Sequence, residues 1–170
     1  MDLFLIRHGE SKMNAGLSDE MDCALTVRGM EQAKTLARRL REAIGESMVT
    51  DWVGVVSPYR RAMQTAAIVT DFTGLHFEID EAVREWGKTA DVCGRIYEEE
   101  PIEVVVNRLR EFIERRVNQR VVMVAHATPI ALLTHLCKGE PLNTRGRFWE
   151  SVENCCLRRV GWNASESRRG

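Results

Sequence analysis

Four short stretches of this chain carry side chains that could do chemistry together. They are Arg7-His8-Gly9-Glu10-Ser11, Ser57-Pro58-Tyr59-Arg60-Arg61-Ala62, Arg84-Glu85-Trp86-Gly87 and His126-Ala127-Thr128-Pro129. Two histidines, several arginines and a glutamate suit a dianionic phosphoryl group. Guanidinium forks grip its oxygens bidentately, and each charge-assisted bond contributes about 1.5–3 kcal/mol. A neutral imidazole in that field is a competent nucleophile on phosphorus. A second histidine can donate to the phosphoryl oxygens, and a glutamate can serve as general acid. Gly9 is expected to let the phosphate approach the backbone closely. Zinc is the rival reading, since two His and a Glu would leave one position for water. Adjacent arginines would repel the metal, and no His-x-x-x-His or Asp-x-His cluster supplies ligands, so no metal site is expected.

These stretches converge only if the fold brings them together. Short apolar runs alternate with helical patterns along the chain. Leu3 to Ile6, Trp52 to Val56, His76 to Ile79, Val121 to Ala125 and Asn154 to Val160 read as strands. Helices are expected from Thr26 (as N-cap) to Ile44, stopping at Gly45, and from Tyr59 to Phe72. Two more run from Pro101 to about Gln119 and from Pro129 to Cys137. Alternating β and α elements with near-continuous apolar strands predict an α/β fold, a three-layer α/β/α sandwich around a mostly parallel sheet. Ligands in such folds sit beyond the C-terminal ends of the strands, where the four stretches fall. Residues 1–162 are expected to form one domain and 163–170 a polar tail.

The ordered set of motifs resembles the histidine phosphatase superfamily, also called the phosphoglycerate mutase-like family. The resemblance runs through Arg7-His8-Gly9-Glu10-Ser11 with Asn14, then Leu25-Thr26-x-x-Gly29-x-x-Gln32-Ala33. It continues with Ser57-Pro58-Tyr59-x-Arg61-Ala62-x-Gln64-Thr65-Ala66, Glu85, His126 and Asn154. It implies that His8 accepts the phosphoryl group and that Arg7, Arg61 and His126 bind it. Asn14 would be a lesser phosphate or substrate contact. Glu85 falls where many members keep the proton donor, with Asp91 a nearby alternative; Arg60 is expected to be a surface neighbour. Two positions depart from the pattern: Ala127 stands where Gly is usual, and Met13 where mutase-type members commonly have an aromatic.

The resemblance therefore implies a metal-independent phosphatase working through phosphohistidine, with no cofactor. Two other readings are a phosphoglycerate mutase-type phosphotransferase and a non-catalytic phosphate-recognition module on the same fold. Mutase members resemble one another in a long insertion after the glutamate, whereas here only about fifteen residues separate Glu85 from the helix at Pro101. A short lid leaves a phosphoenzyme open to water and favours hydrolysis. Segments Ala15 to Ala24 and Thr89 to Glu100 are expected at the pocket rim, with Trp86 either stacking on substrate or packing in the core. Glu98-Glu99-Glu100 reads as a solvated charge cluster preceding a helix, or else as a filter against highly anionic substrates. His76 and His135 lie off the motifs.

Composition bounds the partners. Lys plus Arg is 24 and Asp plus Glu is 25, a net of −1 that argues against a nucleic-acid or membrane-surface binder. A small phosphorylated metabolite is the expected partner, with a phosphoprotein the other candidate. No apolar run approaches the ~20 residues needed to cross a bilayer, and the N-terminus does not read as a secretory signal. The five cysteines (Cys23, Cys93, Cys137, Cys155, Cys156) show no C-x-x-C pair. They read as reduced thiols in a cytoplasmic chain, Cys155 and Cys156 pointing to opposite faces of a strand.

Overall fold

A computed structural model describes residues 1–90, 96–140 and 152–162, with backbone alone at 46–48, 88–90 and 96–99. Seven strands and four α-helices alternate along these residues. They are β1 (Asp2–Arg7), α1 (Val27–Ile44), β2 (Trp52–Val56), α2 (Arg60–Thr73), β3 (Phe77–Ile79), β4 (Lys88–Ala90), β5 (Ile96–Glu99), α3 (Ile102–Arg115), β6 (Arg120–Ala125), α4 (Ala127–Lys138) and β7 (Leu157–Gly161). Short 3-10 turns occupy Glu46–Asp51 and Glu81–Val83.

The main sheet has the order β3-β2-β6-β1-β7. β1 and β2 both pair parallel with β6, β3 pairs parallel with β2, and β7 closes the edge antiparallel to β1. Successive strand residues point to opposite faces, and both faces are apolar. Leu3, Leu5, Val121 and Met123 pack with α3 and α4 through Leu109, Phe112, Ile130 and Leu133. Phe4, Ile6, Val122 and Val124 face the other way, onto Leu36 and Leu40 of α1 and Ala62 and Val69 of α2. The molecule is thus the expected three-layer sandwich. Because β6 lies between β1 and β2, the C-terminal ends of these three strands form one edge.

Local signals explain most boundaries. Thr26 caps α1 with its hydroxyl accepting from Gly29 N at 3.0 Å. Gly74 and Gly139 close α2 and α4 in the left-handed region that glycine enters freely. Three expectations need correction. The last strand starts at Leu157 rather than Asn154, because Cys155 takes a positive φ of 53° in a tight turn. Cys155 and Cys156 are therefore turn residues, not strand neighbours on opposite faces. Helix α3 ends at Arg115, where the chain turns back through Gln119 into β6, and α4 begins two residues before Pro129. The β4–β5 hairpin has no counterpart in the sequence reading. Asp91, Cys93 and residues 163–170 lie outside the described residues.

Candidate active site

His8 follows β1 directly. Its backbone N–H extends the ladder by donating to Ala125 O at 3.0 Å, so the imidazole is held at the junction of β1 and β6. It is 2% exposed. Its Nδ1 lies 2.7 Å from Gly9 O. A carbonyl can only accept, so Nδ1 carries the proton and Nε2 carries the lone pair. Arg61 Nε donates to that Nε2 at 3.1 Å. Burial, then the positive charges of Arg61 and Arg7, hold the His8 imidazole well below its ordinary range, down to about 3. Its contact with Gly9 O works in the opposite sense and does not overcome them. At neutral pH His8 is an uncharged imidazole with one oriented nucleophilic nitrogen.

Arg61 lies one residue into α2, at the edge formed by β1, β2 and β6. Its guanidinium also donates to Met21 O and stacks over Tyr59, 4.9 Å from the ring centroid. Arg7, the last residue of β1, donates to Val152 O, while its buried Nε has no protein partner among the described residues. Burial lowers the pKa of both arginines, and the Glu85 carboxylate is the largest influence opposing it at each.

His126 ends β6 and precedes α4. It is fully buried, its ring 5.0 Å edge-on from that of His8. Its Nε2 lies 2.7 Å from Ser57 Oγ, and that hydroxyl also accepts from Tyr59 N at 3.4 Å. With Ser57 donating to Nε2, Nδ1 is the nitrogen that carries the ring proton. That Nδ1 is buried without a partner among the described residues. Burial, followed by its neighbour His8 and the positive charges of the arginines, holds the His126 pKa well below its ordinary value.

Glu85 Oε1 accepts from Trp86 N at 2.9 Å. Burial raises its pKa, opposed by hydrogen bonds from Trp86 N and Thr128 and by the charges of Arg61 and Arg7. A raised carboxyl beside two cations is the form a proton donor needs. Glu10, the other carboxylate near His8, is committed elsewhere: it accepts from Thr26 Oγ1 at 2.8 Å and pairs with Arg28 at 3.2 Å.

The structure thus brings His8, Arg61 and His126 into contact, with Arg7 and Glu85 in the same electrostatic field. Asn14 is exposed at the rim of the His8 loop. Its Oδ1 accepts from Ser11 N and from Asn154 Nδ2, both at 3.2 Å. Arg60 is exposed, as expected for a surface neighbour. The role expected of Gly9 needs correction. A Cβ there would run into the Gly29 carbonyl, so its smallness admits the first turn of α1 rather than a phosphate. The solvated reading of the acidic run fails at Glu100, which is 8% exposed and paired with Arg84 at 2.7 Å and Arg108 at 3.3 Å. Trp86 packs against the core around α3 and donates to Glu100 O at 2.6 Å.

Four positioning residues received no role in the sequence reading although all stand inside its motifs. Gln32 accepts from Glu10 N and Gln64 from Leu25 N, both at 2.8 Å. Thr65 Oγ1 accepts from Gly9 N at 3.1 Å and donates to Arg61 O at 2.8 Å, joining the loop after β1 to the first turn of α2. Asn154 Nδ2 donates to His8 O at 2.9 Å. Amides and hydroxyls at fixed offsets from a histidine or arginine were the available signal. Among the described residues no three His, Cys, Asp or Glu side chains are grouped to hold a metal ion, and no helix is long and apolar enough to cross a membrane.

Known proteins align with this arrangement along most of the chain. A protein of Erwinia tasmaniensis named "Probable phosphoglycerate mutase GpmB" is 26% identical over 94% of this chain and 84% of its own length. The aligned stretch of 189 positions exceeds the 170 residues here, so that relative carries insertions. The fold matches the alpha-ribazole phosphatase of Shigella flexneri with a TM-score of 0.75 and 23% identity, over 96% of this chain and 92% of that one. It matches a mycobacterial glucosyl-3-phosphoglycerate phosphatase, solved as a complex with VO3, with a TM-score of 0.74 and 20% identity, over 98% and 93% of the two chains. Residues 3–103 match the model of the histidine phosphatase superfamily, branch 1, and the chain belongs to that family.

Proposed function

We propose that this protein is a phosphatase that hydrolyses a phosphomonoester through a phosphohistidine on His8. The observation that carries the reading is the His8 imidazole: neutral, protonated at Nδ1 by its bond to Gly9 O, and presenting Nε2 against Arg61. The phosphoryl oxygens take over the donors of Arg61 and Arg7, and His126 Nδ1–H adds a neutral one. His8 Nε2 attacks phosphorus in line as the P–O bond to the leaving group breaks. Glu85, protonated before the step, gives its proton to the departing oxygen. The resulting carboxylate then takes a proton from the water that attacks the phosphohistidine, releasing inorganic phosphate and restoring His8. Positioning and charge stabilisation carry most of such a transfer. Asn14 serves the rim, as a substrate contact through its amide N–H groups.

The substrate on this reading is a small phosphorylated metabolite, turned over in the cytoplasm without metal or cofactor. Names among the relatives support that class, since they specify phosphoglycerate and ribazole or glucosyl-phosphoglycerate esters. Hydrolysis rather than mutase transfer is favoured by the short connection from Glu85 to α3. The test is to supply p-nitrophenyl phosphate and 3-phosphoglycerate in the presence of a chelator. Release of inorganic phosphate, abolished by His8→Ala, is expected. Isomerisation of phosphoglycerate without phosphate release would establish the mutase reading, and no turnover of either compound would favour a recognition module.

A further inference from the structure

The acidic residue at the end of the Glu98-Glu99-Glu100 run is one of the few buried carboxylates outside the site, and the proposed mechanism does not use it. Arg84 grips Glu100 with both terminal nitrogens, Nη1 to Oε2 at 3.0 Å and Nη2 to Oε1 at 2.7 Å. From α3, Arg108 reaches the same carboxylate with Nε and Nη2, each at 3.3 Å. On its more exposed side Arg84 also lies 4.0 Å from Glu81. Burying such an ion cluster carries a desolvation cost, and an apolar cluster of similar volume is often no less stable.

What the arrangement does is fix backbone. Arg108 Nη1 donates to Ala82 O, and its Nη2 donates to Arg84 O at 3.0 Å. The second of these carbonyls belongs to the peptide joining Arg84 to Glu85. On the other side of Glu85, the Trp86 indole donates to Glu100 O at 2.6 Å, and Trp86 N holds the Glu85 carboxylate itself. Both flanks of Glu85 are thereby tied to one buried ion cluster. At the end of α3, Arg115 and the C-cap Arg116 reach Asp80 at 3.3 and 3.1 Å, and Asp80 caps the 3-10 turn that leads to Glu85. The Glu85 loop is short and carries no regular structure; within it the carboxyl is held by the Trp86 N–H.

We propose that Arg108 and Glu100, with Arg84, are positioning residues that hold the Glu85 carboxyl for proton transfer to the leaving group. The inference deepens the reading of Glu85 as general acid and rests on it. A positioning role has a signature that general destabilisation lacks. Phenyl phosphate loses a basic phenoxide that needs a proton, whereas p-nitrophenyl phosphate, of similar size, loses an anion stable enough to leave without one. kcat/KM reports the step up to leaving-group departure, so the ratio of the two values isolates the proton donor.

The experiment measures that ratio for wild type, Glu85→Gln, Arg108→Met, Arg108→Lys, Glu100→Gln and the double variant Glu85→Gln/Arg108→Met. Glu85→Gln is expected to lose about 100-fold more on phenyl than on p-nitrophenyl phosphate, in line with the range for general acid catalysis. Arg108→Met and Glu100→Gln are expected to show about a tenfold selective loss of the same kind, which disappears when Arg108→Met is placed in the Glu85→Gln background. Should Arg108→Met fail to fold, Arg108→Lys carries the test, because it keeps the charge and loses the fork that spans Ala82 O and Arg84 O. Equal losses on both substrates in a folded Arg108 variant, or a selective loss that persists without Glu85, overturn the positioning role. A Glu85→Gln enzyme with no selective loss overturns the acid role of Glu85, and the positioning proposal with it.

Discussion

His8 owes its chemistry to its surroundings. An exposed imidazole titrates near 6.5; burial and two arginines take this one down to about 3. The sign of the linkage follows. Between those values the unfolded chain holds the extra proton and the folded chain does not, so stability is complete above about 6.5 and falls as the pH drops towards 3. One such group contributes a slope of about 1.4 kcal/mol per pH unit within that window. Glu85 acts in the other direction, because its raised pKa gives stability that is lost as pH rises through the folded value. Urea unfolding of wild type and His8→Gln between pH 7 and pH 4 separates them. The variant is expected to lose stability on acidification less steeply than wild type, and equal slopes would contradict a neutral, buried His8. At this scale the sequence was informative where residue type alone limits the chemistry. A histidine between arginine and glycine at a strand end, an arginine two residues past Ser-Pro-Tyr and a second histidine after the most apolar strand all land together. It was uninformative where the same residue type serves two ends. Gly9 makes room, but for the Gly29 carbonyl, and Glu100 is the same residue type as the two before it in a run of three.

Elements bring these residues into register, and the closest approach between two of them is a testable point. Helix α1 starts where Thr26 N donates to Glu10 O at 2.9 Å, and a Cβ on Gly29 would strike the Glu10 carbonyl. Gly29→Ala must therefore push α1 away from the loop that follows His8. Overpacking of this kind costs about 1–3 kcal/mol, and chemical denaturation should register it together with a fall in kcat/KM, since Glu10 follows His8 by only two residues. Unchanged stability and activity would mean that the loop and helix move apart freely. Strand and helix identities were legible because apolar runs and caps are local signals. The start of β7 was not, because Cys155 adopts a left-handed turn that a run of Asn-Cys-Cys-Leu does not announce. The β4–β5 hairpin was missed for a related reason: its stretch, Thr89 to Glu100, has neither apolar alternation nor a turn dipeptide.

For the molecule as a whole, a net charge of −1 coexists with a cationic cup. Arg7 ends β1 and Arg61 lies in the first turn of α2, just beyond β2; they share one edge because β1 and β2 both run parallel to β6. Overall charge says nothing of such a cup; only the topology does. The same topology places the rings of His8 and His126 edge-to-face just past the ends of neighbouring strands, 118 residues apart in sequence. Everything proposed for the reaction depends on a phosphoryl group passing through His8. The direct measurement is a rapid acid-free quench of the enzyme with phosphate-labelled p-nitrophenyl phosphate, followed by tests of the label's stability and position. The account predicts a stoichiometric label that is labile in acid, stable in base and confined to His8, and that neither label nor turnover survives His8→Ala. Turnover without any labelled enzyme, or full activity in His8→Ala, would contradict it.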